Sequence, residues 1–200
     1  MFRYILAILC LSSFLFSANG LKNVNRTAMS NYFPQNLGDE HVYRKTGRLA
    51  RNSGWTDKIT AQDGDYFQHS NYWGDELPHL LSTNQNGEVR EKSGESSLLW
   101  YKLSNSQNES WTMNLTEGGP PCTDGAKLKI VGTETVSVAA GNFENCVKIE
   151  FEHGCMDAGI IAQWFAPNVG LVKQTESSFA GPITSELVSA KIGDSVYPAK

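Results

Sequence analysis

The stretch from residue 127 to residue 173 constrains this chain most, because two β-hairpin patterns lie there almost end to end. In the first, residues 135–138 run into a tight Ala139-Ala140-Gly141-Asn142 turn and return as residues 143–151. In the second, residues 160–166 meet a Pro167-Asn168-Val169-Gly170 corner and return as residues 171–173. Two hairpins in series commit the chain to antiparallel pairing, the only pairing that short turns can join. From residue 41 onward the same alternation of short apolar runs and turn residues continues, which is the pattern of an all-β domain. It predicts strands over 41–48, 55–61, 65–71, 79–84, 88–92, 98–103, 110–115, 127–138, 143–151, 160–166, 171–177 and 183–192. Asn86-Gly87 is the strongest single turn signal, since both residues tolerate the positive φ of a type I′ hairpin.

Several of these strands alternate. Trp111, Met113 and Leu115 share one face, and Val147, Ile149 and Phe151 oppose Cys146, Lys148 and Glu150. Residues 98–103 and 160–165 differ, being apolar or aromatic on both faces, so each needs cover on two sides. No amphipathic helix is legible in residues 21–200 to supply that cover. The fold expected is therefore all-β, a single antiparallel and strongly curved sheet, half-barrel or barrel-like, with a sandwich as the alternative.

The first twenty residues read as a secretory signal peptide. Arg3 supplies the positive n-region, residues 4–16 are apolar, and Ala18-Asn19-Gly20 places small residues at a cleavage site. Residues 21–30 are polar and expected to be loosely ordered, and residues 31–200 are expected to form one β-domain. The expected location is secreted or periplasmic, without a transmembrane segment, as a monomer. Removing residues 1–20 takes away Arg3 and no acid, so the formal charge moves from −4 to −5. A mildly acidic chain with scattered basic residues carries no nucleic-acid footprint.

Three cysteines follow residue 20: Cys122, Cys146 and Cys155. In an exported chain a disulfide is the default, and an odd count leaves one thiol over. With Val138 facing Phe143, hairpin partners sum to about 281, which brings the loops carrying Cys122 and Cys155 to the same open end. The favoured pair is Cys122–Cys155 with Cys146 free, the other pairings remaining open.

Motifs at both ends of the domain carry a family resemblance. Tyr32-Phe33-Pro34 followed by Gly38-Asp39-Glu40-His41-Val42-Tyr43 resembles the F-P-L-x-x-G-N-x-W-x-Y start of a group of exported, uncharacterised bacterial β-proteins. Residues 135–143 resemble that group's T-V-x-V-P-A-G-x-F hairpin, and residues 164–173 its W-Y-A-x-x-V-G-L-V-K end. His41 stands where the group has Trp, and Ala139 where it has the turn proline. More distantly the group is similar to curved-sheet lipoprotein carriers of the bacterial envelope, which hold acyl chains on a concave face. Some members also carry a proteinase-inhibitor-like domain, which implies extracellular partner binding.

Chemistry-bearing residues are sparse. His153-Gly154-Cys155-Met156-Asp157 is the only local cluster of reactive types, and as a nucleophilic site it would need Cys155 unpaired. Cys122, Cys146, His153 and Cys155 could in number serve zinc, but they lack paired C-x-x-C knuckles. Asp63, Asp65, Asp75 and Glu76 do not follow the spacing of a calcium loop and read as turn residues. No G-x-S-x-G elbow, phosphate loop or H-E-x-x-H helix occurs. Neither a metal nor another cofactor is expected, and the chain is read as non-enzymatic. Its expected role is to bind an apolar, lipid-like ligand or an envelope protein, with Trp100, Trp111, Met113 and Trp164 as candidate lining residues. Trp164 also has a plain reading as a core or rim aromatic. One alternative is an extracellular interaction module with a filled core. Another is a hydrolase, which would require the dispersed His41, His69 and His79 to converge with acids in one cleft.

Overall fold

The computed structural model describes residues 31–50, 53–103 and 109–198, so the expected signal peptide and the polar segment 21–30 lie outside the described residues. Regular structure within them is entirely β. In chain order the strands are β1 (Glu40–Thr46), β2 (Gly54–Asp63), β3 (Tyr66–His69), β4 (His79–Thr83), β5 (Glu88–Ser93), β6 (Ser96–Lys102) and β7 (Ser110–Thr112). They continue with β8 (Lys127–Val138), β9 (Gly141–Glu152), β10 (Ile160–Ala166), β11 (Gly170–Glu176), β12 (Ile183–Ile192) and β13 (Ser195–Tyr197). All twelve expected strands are present, and β13 is an addition that folds back onto β12.

The sheet runs β6-β5-β4-β3-β2-β1-β12-β11-β10-β9-β8-β7, antiparallel throughout. Its two edge strands come back together. Asn114 N donates to Leu99 O at 3.0 Å, Trp111 Nε1 donates to Trp100 O at 2.9 Å, and Lys102 pairs with Glu109 at 2.8 Å. The sheet is thus nearly closed into a barrel, which removes most of the unpaired edge that an open sheet would expose.

Closure on this scale leaves a wide interior, and aromatic side chains fill it. Trp100, Tyr101, Phe165, Leu81, Met113 and Leu128 have no exposed surface. Tyr101 meets Phe165 edge-on at 5.0 Å, and Trp73 lies 5.2 Å from Trp100. The apolar runs read from sequence as needing cover on two sides are in part β-bulges. The register shifts between Val89 and Arg90 opposite Trp100, so Trp100 and the adjacent Tyr101 are both buried. In β10 the extra residue is Ile161, which is exposed while Ile160 is buried.

Two expected turns differ. The β8–β9 turn is Ala139-Ala140 alone, with Val138 opposite Gly141 and Val136 opposite Phe143. The tip folds across the barrel wall, where Ala140 N donates to Leu187 O at 3.1 Å, and that contact selects the tighter turn. A further shift at Asn145, whose φ is 56°, leaves both Cys146 and Val147 buried, so Cys146 does not sit on a wet face. The β4–β5 loop has three residues, Gln85 to Gly87, instead of a two-residue type I′ turn. Only Gly87 takes a positive φ, 74°, because the Asn84 carboxamide accepts from Asn86 N and Glu88 N and organises the loop itself.

Both barrel ends are covered. At one end the segment 31–39, the strap, crosses from β2 (Gly38 N to Ile59 O, 2.9 Å) to the β10–β11 turn (Asn168 N to Asn31 O, 2.6 Å). At the other, residues 113–126 fold over the core, with Thr116 N donating to Glu91 and Gly119 N to Asp75. A Cβ on Gly119 would stand 2.8 Å from a Leu115 methyl, so glycine is required there by contact as well as by its φ of 78°. A disulfide joins Cys122 of this plug to Cys155 in the β9–β10 loop, and Cys146 is a free, buried thiol. Replacing Cys122 and Cys155 together by Ser, opening a loop with a sequence separation of 33, is expected to lower stability by roughly 3–4 kcal/mol. Guanidinium unfolding midpoints of the two proteins check this; equal midpoints would mean that the plug is held without the bridge.

Candidate functional site

Beneath the strap, strand register gathers titratable side chains that lie far apart in sequence. Pairing of β1 with β2 sets His41 opposite Asp57, and the bulged β2–β3 hairpin brings His69 alongside. His69 Nδ1 donates to Asp57 Oδ2 at 2.6 Å, and the other carboxylate oxygen accepts from Asn71 N at 3.0 Å. Burial by itself would raise the Asp57 pKa, but His69, the Asn71 N–H and His41 outweigh it and hold the carboxyl below its ordinary value. On the far side of the imidazole, Gln35 Nε2 stands 3.2 Å from His69 Nε2.

His41 and Tyr43 have a different task. The β11–β12 ladder covers only residues 173–176 of β11, so the Val169 and Leu171 carbonyls take partners from β1 side chains. His41 Nε2 donates to Val169 O at 2.8 Å and the Tyr43 hydroxyl to Leu171 O at 2.9 Å. Together with Phe33, Pro34 and Tyr72 these groups line a small cavity of about 20 Å³. That is space for about one water molecule.

A second buried pair lies on β4 and β5. His79 Nδ1 donates to Glu91 Oε1 at 2.7 Å, and Glu91 Oε2 accepts from Trp100 Nε1 at 3.1 Å and Thr116 N at 2.8 Å. Burial opposes the Glu91 charge, yet the His79 and Thr116 bonds leave its pKa lowered. His79 and His69 are themselves cross-strand partners, and Tyr72 and Trp100 pack between the two pairs.

Carboxylate, imidazole and a third group in line is the geometry of an activated general base. Here the third group is the Gln35 carboxamide, which offers no nucleophile. Of the dispersed histidines named for the hydrolase alternative, His41 and His69 converge with Asp57, whereas His79 pairs separately with Glu91. What the arrangement does is tie the strap to β3 through Gln35.

The four candidate lining residues do not share one surface. Trp100, Trp111 and Met113 are packed into the core. Trp164 faces outward, between Lys148 and Lys173, each with its Nζ 5.5 Å from the ring centre, and its indole N–H donates to Glu134. Cys122 and Cys155 are bonded to each other, while Cys146 lies in the core with its thiol pKa pushed up to about 11 by burial. The His153 ring accepts from Cys155 N and donates to Ile160 O. Among the described residues no group of three or more His, Cys, Asp or Glu is placed to hold a metal ion. Asp63 pairs with Lys92, and Asp75 accepts from Leu77 N and Gly119 N.

Sequence reasoning missed both histidine–carboxylate pairs. A signal existed for one of them. Extending the β4–β5 hairpin back from its turn sets Leu81 opposite Glu91, and His79 follows two residues on along the same face.

Comparison with known proteins gives three findings. The model of the family described as DUF3108-like matches residues 76–188. Among solved structures, one described as a "putative lipoprotein" from Parabacteroides distasonis is similar at 14% identity with a TM-score of 0.44, over 82% of this chain and 99% of that one. No curated protein matches.

The buried histidine makes stability depend on pH. Burial, the largest influence, lowers the pKa of His41 below its ordinary 6.5, against the pull of the Val169 carbonyl and Asp57. The unfolded chain then binds the proton first, so stability is present above 6.5 and is lost as pH falls from there to the folded value, by at most about 1.4 kcal/mol per pH unit. Asp57, also depressed, adds stability that is lost only at lower pH, below its ordinary 3.8. Urea unfolding at pH 7.5, 6.5 and 5.5 should show a shallower decline for His41→Phe than for the wild type. Parallel declines would remove His41 as the cause.

Proposed function

This chain belongs to the DUF3108-like family, and we propose that it is an exported, non-enzymatic envelope protein that works by binding a partner through its outer surface. The observation that carries this reading is the filled interior. Trp100, Tyr101, Phe165 and Met113 have no exposed surface, so none of them borders a space that could take even a water molecule, and an acyl chain has no berth among them. The apolar N-terminal stretch 4–16 and the disulfide both support export into an oxidising compartment.

Outside the barrel, apolar side chains gather at the plugged end. Met156 is 89% and Phe179 78% exposed, and Ile161, at the start of β10, is exposed too. Their loops are joined, Ser177 donating from N to Gly159 O at 2.8 Å and from its hydroxyl to Met156 O at 3.3 Å. Large apolar groups so displayed characterise contact surfaces. The disulfide fixes one of these loops to the plug, so the display is rigid before any partner arrives.

Native mass spectrometry of protein purified from its own host tests the central claim. The expected spectrum is the bare polypeptide mass, with no uptake of a fluorescent fatty acid. A co-purified lipid mass that persists in the folded protein would replace this reading with ligand carriage. A photo-crosslinker at position 179 is expected to give a discrete adduct in the host envelope, and one at Leu37, on the strap, is not.

A further inference from the structure

We propose that the strap is a pH-responsive latch, closed by the bond from Gln35 to neutral His69 and opened when His69 takes up a proton at Nε2. The geometry of the carboxamide carries the argument. Gln35 Nε2 also donates to Leu81 O at 3.1 Å, and Gln35 Oε1 accepts from the Thr83 hydroxyl at 3.1 Å. A carbonyl oxygen can only accept, so the NH₂ end of the amide must point towards Leu81 and hence towards His69. His69 can meet it only with a bare Nε2 lone pair, its one proton being on Nδ1 and bonded to Asp57. A second proton sets N–H against N–H₂ at 3.2 Å with no acceptor between them. Rotating the amide offers no escape, because it would turn Oε1 against the Leu81 carbonyl.

The surroundings localise the effect of that proton. The titratable or charged groups facing this pocket are Asp39 from the strap, His41 and Tyr43 from β1, Asp57 from β2, Tyr72 from the β3–β4 loop, His79 from β4 and Tyr101 from β6. The β10–β11 turn contributes the Val169 carbonyl. The Asp57 carboxylate is in direct contact with His69, while Asp39 is engaged by Asn36 and Gly193 N at the foot of the strap. Burial of neutral His41 works in the same direction, since its proton uptake is easier once the strap admits water.

The middle of the strap is also loosely backed. A groove of about 270 Å³ lined by Tyr32, Phe33, Thr83 and Leu103 runs along one side, and the cavity of about 20 Å³ lies on the other. Its ends are tied independently, at Asp39 and at the Asn168–Asn31 bond. Breaking the Gln35 contact therefore frees residues 33–35 between fixed ends, and lifts Phe33 from His69, Tyr72 and Tyr101.

Hydrogen exchange read by mass spectrometry, on the full chain with its disulfide intact at pH 7.5 and pH 5.0 and corrected for intrinsic rates, tests the latch. Protection of peptides covering 32–37 is expected to fall roughly tenfold at the lower pH, the order of one hydrogen bond lost. Peptides from β8 and β9 should not change. Gln35→Met should show a strap equally open at both values. The proposal is overturned if wild-type strap protection is the same at both values, or if Gln35→Met keeps the wild-type response. Loss of β8–β9 protection together with the strap would also overturn it, because acid would then be acting on the whole fold.

Discussion

Three donors converge on the buried Glu91 carboxylate, and much of the barrel is organised around satisfying it. His79 comes from β4, the Trp100 indole from β6 and the Thr116 amide from the plug. A buried charge is tolerated only when its lone pairs are filled, and removing one partner leaves it exposed to the full desolvation cost. Satisfying Glu91 therefore aligns three segments at once. Trp100 extends the alignment, because its carbonyl accepts from Trp111 across the seam where β6 and β7 meet. The seam and the plug depend on the same residue cluster.

A sheet that closes on itself solves the problem of exposed edges and creates the problem of an interior. This chain fills that interior with large rings, with bulges that turn consecutive residues such as Trp100 and Tyr101 into buried positions, and with loops folded over both ends. Filling has a functional consequence. The same rings that make the closed sheet stable leave no water-sized space beside Trp100, Tyr101, Phe165 or Met113, and this is what the proposed outer-surface role rests on. Trp164 illustrates the point, spending its aromatic faces on two lysines from neighbouring strands.

The strap stands apart from this logic. The plug is held by carboxylates and by the disulfide, whereas the centre of the strap is held by one carboxamide that meets His69, Leu81 O and the Thr83 hydroxyl. Its two ends are firmly held, so it is a hinged cover over the only cluster in the described residues where His41, His69 and Asp57 meet. A fold that commits its core to permanence has here kept one contact that depends on a proton.

Strand identity was legible in the sequence because alternation and turn residues are local. Twelve strands could be read from such patterns, and with them the all-β curved sheet, since each pattern needs only its own neighbours along the chain. What required the tertiary structure was everything decided by partners distant in sequence. The β8–β9 turn tightened to Ala139-Ala140 because Ala140 reaches Leu187, and the two-sided apolar run at 98–103 became a bulge because the register against β5 shifts there. The direction of Trp164 followed from the bulge at Ile161, which no alternation rule reveals in a strand of apolar residues. The candidate site was the least legible part. His41 and Asp57 are opposed only once β1 and β2 are in register, and Gln35 meets His69 only when the strap crosses the barrel end. Pattern is written residue by residue, but contact is settled by closure of the whole sheet.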